Sequence, residues 1–419
     1  MSHVRERIIG APASRRCLHH TNNRFSRHMN AEIGIDSITL SIARVTPSTH
    51  WTFVEIVDEE NRIGLGEATL TGRDSELLRA ASDMFPAIVD MRVDDAASWL
   101  DTLELGTIAR AAVASALSHA VTDLRARIRN RSIAELLGHP VRAFIPMYAN
   151  INRRTHTRSP DSFAHSARSA VAAGFSAVKI APFDGVTLYG SDAHAQPSLI
   201  DAALERIAAV RDAVGPAVDV MVDCHWRLNA HVARQVLASD VCDGLHWLEC
   251  PLPETPDRLH ELRALRSLAN DRGIRLAGCE EAIRAEGFMP FVEAGAYDVM
   301  MPDVKYVGSV DEMLHVAQLL GRHDVEFSPH NPSGPVAHAV SMQICSLVPN
   351  FRRMEMQFDE TPYFHTLTGA TVPVPDNGGA QIARTSGIGM RLDRDALDPL
   401  TIRRLQFHRA CRAGELVVT

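Results

Sequence analysis

The sequence predicts an α/β protein whose main domain is a (β/α)8-type (TIM) barrel. Two observations favour this fold class. From residue 144 to residue 365, short apolar segments rich in Val, Ile and Met alternate with amphipathic helical patterns, and the repeat of roughly 25 to 35 residues is the length of a βα unit. Nearly every apolar segment also ends in a polar or charged residue, as the strands of a catalytic barrel do. A doubly wound sheet is the alternative, although that fold does not require a charged residue at nearly every strand end.

The region before the barrel, residues 30 to 143, predicts an α+β domain. "IGIDSITLSI" and "HWTFVEIVDEENRIGLGEA" alternate apolar and polar residues around a turn at "DEENR", which is typical of antiparallel strands. The stretch "TIARAAVASALSHAVTDLRARI" has apolar residues at helical spacing and predicts a helix. Residues 366 to 419, including "SGIGMRLDRDALDPL", resume a strand-and-turn pattern, so we expect them to return to this first domain.

The first residues, 1 to 29, differ in composition from the rest. They are rich in arginine and poor in acids, but they lack the apolar core of a secretion signal. We interpret them as a disordered leader. An organelle transit peptide and a translation start at Met29 are the alternatives.

Eight apolar segments supply the predicted barrel strands. Their near-continuous apolar character fits a parallel sheet that helices cover on its outer face. In chain order they are "FIPMYANIN", "SAVKIAPFD", "VDVMVDCHW", "GLHWLECPLPE", "GIRLAGCEE", "YDVMMPDVK", "DVEFSPHNP" and "FRRMEMQFD".

Composition and charge limit the possible partners. The chain has 419 residues, of which 46% are hydrophobic and 22% charged, with a net charge of −8. No basic cluster with interleaved aromatic residues is present, so we expect a small-molecule partner and no nucleic acid. No apolar run approaches the roughly 20 residues that span a bilayer. Seven scattered cysteines without a CxxC pair favour a reducing compartment and no zinc site, so we expect a cytoplasmic protein without a membrane segment.

Ionisable residues at the predicted strand ends form a candidate site. Because the catalytic groups of a barrel lie at the carboxyl ends of its strands, we expect these side chains to converge. They are Lys179, Asp223, His225, Glu249, Glu280, Glu281, Asp303, His330 and Glu355. Any one of them alone also has a structural explanation, such as a helix cap or a histidine that shapes a loop. In "VDCHWR", the alternate residues of an extended strand would share a face, which places Asp223, His225 and Arg227 together.

Three of these acids predict a metal site. Asp223, Glu249 and Glu280 end successive strands, and carboxylates that converge repel one another unless a cation neutralises them. Carboxylate oxygens with room left for water and substrate suit Mg2+ better than zinc or copper. Glu281 competes for the third position. Strand alternation places Glu280 on the face of Gly278 and Leu276, and only one of two successive residues can point inward, so we prefer Glu280.

These motifs, in this order, resemble the enolase superfamily and in particular its mandelate racemase subgroup. The resemblance covers nearly all of the chain after residue 30 and rests on "VDCHW", "WLECPLPE", "AGCEE", "MMPDVKYVGS", "SPHNPSGP" and "RRMEMQ". It implies a capping domain that the C-terminal segment completes, Mg2+ as cofactor, and abstraction of a proton α to a carboxylate to give an enediolate. Cys279 departs from the pattern, because such proteins usually have glycine before the third ligand.

The resemblance also implies roles for individual residues. His330 would be the general base, and Asp303 would orient it. Glu355 would hydrogen-bond the substrate carboxylate. His225, two residues after a predicted ligand, resembles the general acid of galactonate-type acid-sugar dehydratases.

The second barrel strand separates two possible reactions. Racemases and epimerases of this superfamily tend to carry a second base as the last lysine of a KxK motif, whereas "VKIAPFD" has Lys179 at the first position and Ala181 at the second. We therefore expect Mg2+-dependent dehydration of a sugar acid to a 2-keto-3-deoxy acid. An epimerase, racemase or cycloisomerase on the same scaffold is the alternative. A non-catalytic homologue is a third reading, and it would predict broken ligands.

Polar residues near the predicted site are candidates for contacts with the polyol of the substrate. They are Asn150, Asn152, Arg227 and Asn331. Each could equally be a surface or turn residue, so the identity of the sugar acid stays open. The resemblance also implies a homo-oligomer, either a dimer or an octamer.

Overall fold

The computed structural model describes residues 33–187, 197–369, 371–372 and 375–418. The predicted leader, residues 1–29, lies outside the described residues. No helix in the described ranges is long and apolar enough to cross a membrane.

The N-terminal domain is an antiparallel sheet packed against helices. Its strands are β1 (Ile35–Arg44), β2 (His50–Asp58), β3 (Ile63–Glu67), β13 (Thr401–His408) and β14 (Cys411–Val418). In the described part of the chain, they lie in the order β14-β13-β1-β2-β3. Helices α1 (Asp74–Ile88), α2 (Val93–Asp101) and α3 (Ile108–Ile128) follow β3. Because β13 pairs with β1, the C-terminal segment completes this domain, as the sequence predicts.

Helix α3 attaches the cap to the barrel. Thr107 caps the helix by accepting a hydrogen bond from the Arg110 N–H. A Cβ atom at Gly66 of β3 would collide with Ala116 O, so glycine lets the strand lie directly on the helix. On the same helix, His119 Nε2 donates to Val304 O of the barrel at 3.0 Å, which ties the two domains together.

The second domain is a closed barrel of parallel strands. Within the described residues, its strands are β4 (Phe144–Asn150), β5 (Ala177–Ile180), β6 (Asp219–Asp223), β7 (Trp247–Glu249), β8 (Arg275–Gly278), β9 (Val299–Met300), β10 (Glu326–Phe327) and β11 (Met354–Gln357). They lie in the order β10-β9-β8-β7-β6-β5-β4-β11. A parallel bridge between Phe327 and Phe351, just before β11, joins the two ends of this sheet. The predicted fold class is therefore confirmed.

Helices follow the strands and cover the outer face of the barrel. They are α5 (Pro160–Ala172), α6 (Pro197–Val214), α7 (Ala230–Ala238), α8 (Leu259–Asn270), α9 (Arg284–Ala294), α10 (Val310–Arg322), α11 (Pro335–Cys345) and α12 (Tyr363–Thr366). A short α4 (Ile133–Leu137) precedes the barrel, and β12 (Gly379–Gln381) pairs antiparallel with β4. Before the chain reaches α13 (Arg394–Leu397) and β13, Ile388 and Met390 pack into the barrel core.

Buried side chains fill the barrel interior below the strand ends. They are Tyr148, Ala177, Met221, Trp247, Ala277, Val299 and Met301. Because side chains alternate along a strand, residues two positions further along also face the barrel axis. Lys179, Asp223 and Glu249 follow Ala177, Met221 and Trp247 in this way. This interior layer of side chains thus lies directly beneath the charged strand ends.

Candidate active site

Three buried carboxylates converge above the interior layer of the barrel. Asp223, Glu249 and Glu280 each offer one oxygen, and these oxygens lie within 4.8 Å of one another. Burial raises the pKa of Glu249 to about 8, and burial together with the charges of the other two acids raises the pKa of Glu280 well above its usual value. A cation relieves such mutual repulsion, and a set of carboxylate oxygens suits Mg2+. The residues present therefore fit the predicted metal.

Glu280 reaches this cluster by a route that strand alternation does not predict. Ala277 faces the barrel interior and Leu276 faces the helices, so continued alternation would turn Glu280 away from the axis. The strand ends before Cys279, which adopts left-handed backbone with a φ of 68° and so resets the direction of the chain. Glu280 is buried in the cluster, whereas Glu281 is exposed. The alternation argument is wrong, although it selects the residue that the structure brings to the cluster.

His225 contacts the cluster through a turn, not along an extended strand. Strand β6 ends at Asp223, and His225 and Trp226 have positive φ angles of 47° and 56°. The turn brings His225 Nε2 to 2.8 Å from Asp223 Oδ2, and the His225 N–H donates to Asp223 Oδ1 at 2.8 Å. Because Asp223 carries a negative charge, it raises the pKa of His225. Burial alone would raise the pKa of Asp223, but His225 and Lys179 lower it to about 2. This pairing favours a protonated His225 beside the acid cluster.

His330 is the second imidazole at the cluster. Its Nδ1 lies 2.8 Å from Asp303 Oδ2, and its Nε2 lies 3.7 Å from Glu280 Oε2. Burial alone would raise the pKa of Asp303, but the charge of Lys305 and the contacts with His330 lower it. An ionised Asp303 accepts a hydrogen bond from the Nδ1–H of His330, so Nε2 is the nitrogen with a lone pair on the side of the cluster.

Glu355 is the centre of a buried hydrogen-bond network beside the acids. Its Oε1 accepts from Asn150 Nδ2 at 2.7 Å and lies 2.9 Å from Lys179 Nζ, while its Oε2 accepts from the Asn331 N–H at 2.9 Å. Lys179 Nζ also lies 2.5 Å from Glu249 Oε1. Burial would lower the pKa of Lys179, but Glu249 and Glu355 raise it well above its usual value. Lys179 is therefore a buried cation between the acid cluster and Glu355.

The candidate polyol contacts fall into two groups. Asn150 and Asn331 are buried against Glu355. Asn152 is held by structural contacts, because its Oδ1 accepts from the Ala181 N–H at 2.5 Å and its Nδ2 donates to Asn150 Oδ1 at 2.9 Å. Arg227 Nη1 donates to a backbone carbonyl, Val186 O, at 3.3 Å. Substrate binding by these side chains stays a prediction.

Two further residues of the site were not identified from the sequence. Trp247 Nε1 donates to Glu249 Oε2 at 2.9 Å, and Lys305 Nζ donates to Asp303 Oδ2 at 2.6 Å and to Ser333 Oγ at 2.5 Å. Trp247 lies two positions before Glu249 on the same strand, so side-chain alternation is a signal that could have identified it. Nothing in the sequence separates Lys305 from a surface lysine.

Family models match both domains of the chain. The mandelate racemase / muconate lactonizing enzyme N-terminal domain matches residues 27–138, and the enolase C-terminal domain-like family matches residues 162–396. The chain belongs to the enolase superfamily. Within this superfamily, the matched N-terminal domain assigns the chain to the mandelate racemase group, and the order of the strand-end motifs agrees with that assignment.

Several proteins similar to this chain are dehydratases. D-gluconate dehydratase of Thermoproteus tenax is 29% identical over 352 residues, which cover 82% of this chain and 68% of the relative. D-xylonate dehydratase of Haloferax volcanii is 25% identical over 83% of this chain and 84% of the relative. D-galactonate dehydratase of Variovorax paradoxus is 26% identical over 72% of this chain and 76% of the relative. The crystal structure of an enolase superfamily member from Salmonella Typhimurium superposes with a TM-score of 0.78 at 21% identity over 90% of this chain and 100% of that one, which supports the fold.

Proposed function

We propose that this protein is a Mg2+-dependent hydro-lyase that dehydrates a sugar acid to a 2-keto-3-deoxy acid. The observation that carries this proposal is the placement of two imidazoles beside different acids of one carboxylate cluster. His225 lies beside Asp223 and His330 beside Glu280. Dehydration needs a base for the α-proton and an acid for the β-hydroxyl, and the site offers one imidazole for each. The named dehydratase relatives agree with this reaction.

The substrate carboxylate would bind beside Lys179 and the cation that the acid cluster holds. Mg2+ held by the cluster would neutralise the negative charge that develops on this carboxylate as the α-proton is removed. Lys179, between Glu249 and Glu355, adds a fixed positive charge on the same side. A hydrogen bond from Glu355 to the substrate carboxylate requires Glu355 to take up a proton when the substrate binds, because two carboxylates need a shared proton to bond.

The two histidines would divide the proton transfers. His330 takes the α-proton through Nε2, and Asp303 stabilises the imidazolium because it accepts the Nδ1–H. The bond between C3 and its hydroxyl oxygen then breaks, and the proton on His225 leaves with that hydroxyl as water. The resulting enol takes up a proton at C3 and loses the O–H proton at C2, which gives the 2-keto-3-deoxy acid.

The second barrel strand favours dehydration over epimerisation. Ala181 stands where a two-base racemase would carry its second lysine, and it has no ionisable group. Its backbone N–H donates to Asn152 Oδ1, so the observed contact of this residue is structural. A two-base exchange of the α-proton therefore lacks a base here.

The test is a panel of sugar acids that includes D-gluconate, D-xylonate and D-galactonate. Each is incubated with the protein and Mg2+, and the product is followed by NMR. We expect a 2-keto-3-deoxy acid from at least one substrate and none in excess chelator or with the Asp223→Ala variant. An epimerised acid without loss of water would favour the epimerase reading, and undiminished turnover in chelator would exclude the metal role.

A further inference from the structure

Left-handed backbone adjoins each of the three clustered acids. The residues that adopt it are His225, Trp226, Cys250 and Cys279, with φ angles of 47°, 56°, 43° and 68°. The first two lie in the turn after β6, the third follows β7 and the last follows β8. Residues with a side chain keep this conformation only where their surroundings hold it. Asp223 and Glu249 are the last residues of their strands, and Glu280 follows the Cys279 turn, so all three carboxylates lie at these turns. A group that braces the turns therefore also shapes the metal site.

Glu254, in the loop after β7, contacts all three turns. Its Oε1 accepts a hydrogen bond from the Cys279 N–H at 2.6 Å. The Trp226 side chain lies close enough to the same carboxylate to lower its pKa, and Cys250 Sγ lies 3.9 Å from Oε1. One carboxylate thus joins the ends of the three strands that carry the candidate ligands.

Neighbouring residues hold Glu254 itself in place. The hydroxyl of the fully buried Tyr297 donates to Glu254 Oε1 at 2.9 Å. A Cβ atom at Gly278 would collide with Glu254 Oε1 and with the Tyr297 ring, so glycine there lets the carboxylate approach the end of β8. Glu254 is partly buried on the wall of a cavity of about 490 Å³ and is not one of the three clustered acids. The proton transfers proposed above give it no role.

We propose that Glu254 is a positioning residue for the metal site. By bracing the three turns, it holds the clustered carboxylates at the separation that binds a cation, without contacting the cation itself. This inference rests on the proposed metal site. Groups that orient metal ligands through hydrogen bonds contribute roughly 10- to 100-fold to metal affinity.

The test measures Mg2+ affinity directly, by calorimetric titration of the metal-free full-length protein. We expect Glu254→Ala to weaken Mg2+ binding by roughly 10- to 100-fold. The matched control is Glu286→Ala, which removes an exposed glutamate of helix α9 outside the acid cluster and should leave the affinity unchanged. Wild-type affinity in Glu254→Ala, or an equal loss in the control, overturns the positioning role. Failure of the wild-type protein to bind Mg2+ would instead overturn the proposed function.

A double variant separates positioning from a general loss of stability. Glycine adopts a positive φ without strain, so Cys279→Gly should recover part of the Mg2+ affinity that Glu254→Ala loses. If the double variant binds as weakly as Glu254→Ala, the loss does not pass through this turn and the proposal fails. Should Glu254→Ala not fold, Glu254→Leu replaces it, because it keeps much of the side-chain volume but loses both acceptor oxygens, including the Oε1 that accepts from Cys279 and Tyr297. Weaker Mg2+ binding by Glu254→Leu supports the proposal, and wild-type binding overturns it.

Discussion

His330 Nδ1 lies 2.8 Å from Oδ2 of Asp303, which is fully buried. Lys305 Nζ donates to the same oxygen at 2.6 Å, so the negative charge of Asp303 is matched by donors on two sides. This arrangement fixes the tautomer of the imidazole. The proton belongs on Nδ1, and Nε2 is the nitrogen that can accept a proton from a substrate at the acid cluster.

Replacement of His330 should stop the first proton transfer. In His330→Asn, we expect both dehydration and exchange of the substrate α-hydrogen with D2O to fall by about 10²- to 10⁴-fold, because the amide cannot act as a base. NMR of the substrate in D2O measures both rates. Mg2+ affinity should persist, which controls for the integrity of the site. Exchange at the wild-type rate would assign the base to another residue.

Replacement of His225 should separate the two proton transfers. His225→Asn removes the acid for the leaving hydroxyl but leaves His330 in place. We therefore expect dehydration to fall by about 10²- to 10⁴-fold while α-hydrogen exchange with D2O continues. The same NMR experiment reports both. Dehydration at the wild-type rate would refute the acid role of His225 and would favour the alternative that the protein is an epimerase.

The two neighbouring glutamates after β8 should differ in metal binding. Glu280 is buried in the acid cluster and Glu281 is exposed, so Glu280→Ala should abolish measurable Mg2+ binding and Glu281→Ala should not. Calorimetric titration of both metal-free variants decides the assignment. The barrel should fold in each, because Glu280→Ala removes one of three mutually repelling charges. The opposite pattern would mean that Glu281 is the third ligand.

Cys279 should tolerate glycine but not a β-branched residue. Its φ of 68° is accessible to glycine without strain, whereas left-handed backbone costs other residues about 1–2 kcal/mol and is least accessible to β-branched side chains. Cys279→Gly should stay within about 1 kcal/mol of the wild-type free energy of unfolding, because relief of strain offsets the greater entropy of the unfolded chain. Cys279→Val should lose stability and Mg2+ affinity together.

Urea unfolding of the Cys279 variants provides the measurement. Cys345→Val is the control, because Cys345 is also buried but lies in helix α11 with ordinary backbone. It should be much less destabilising than Cys279→Val. Similar losses in the two valine variants would show that packing, and not the backbone angle, decides the effect.

His338 should make the fold less stable in mild acid. Burial lowers its pKa to about 3, and its Nε2 has no hydrogen-bond partner among the described residues. Because the unfolded histidine titrates near 6.5, the unfolded state binds the extra proton first as the pH falls. The contribution of His338 to stability is therefore complete above about pH 6.5 and decreases by about 1.4 kcal/mol per pH unit below it.

A non-titrating variant isolates this contribution. Between pH 7.5 and pH 5, the free energy of unfolding of His338→Gln should fall by about 2 kcal/mol less than that of the wild-type protein. Urea unfolding at both pH values, in chelator, gives the two differences. Equal decreases would show that His338 does not carry this pH dependence.

Much of the site could be predicted because it depends on local periodicity. Short apolar segments at a regular spacing predict the barrel, and alternation along each strand places Lys179, Asp223 and Glu249 towards the axis. The order of the motifs then predicts the family, which the matches to both domains confirm. These features are properties of neighbouring residues and are visible in the sequence.

Only the tertiary structure decided how the chain turns at the strand ends and what holds those turns. Alternation turns Glu280 away from the axis, and the left-handed Cys279 brings it back. Glu254, after β7, accepts from Cys279 after β8, and Lys305, after β9, donates to Ser333 after β10. Such contacts join residues that are far apart along the chain, and the sequence does not encode them in any local pattern. The clustering of the three acids could therefore be predicted from the sequence, whereas the turns that complete the cluster depend on contacts between strands.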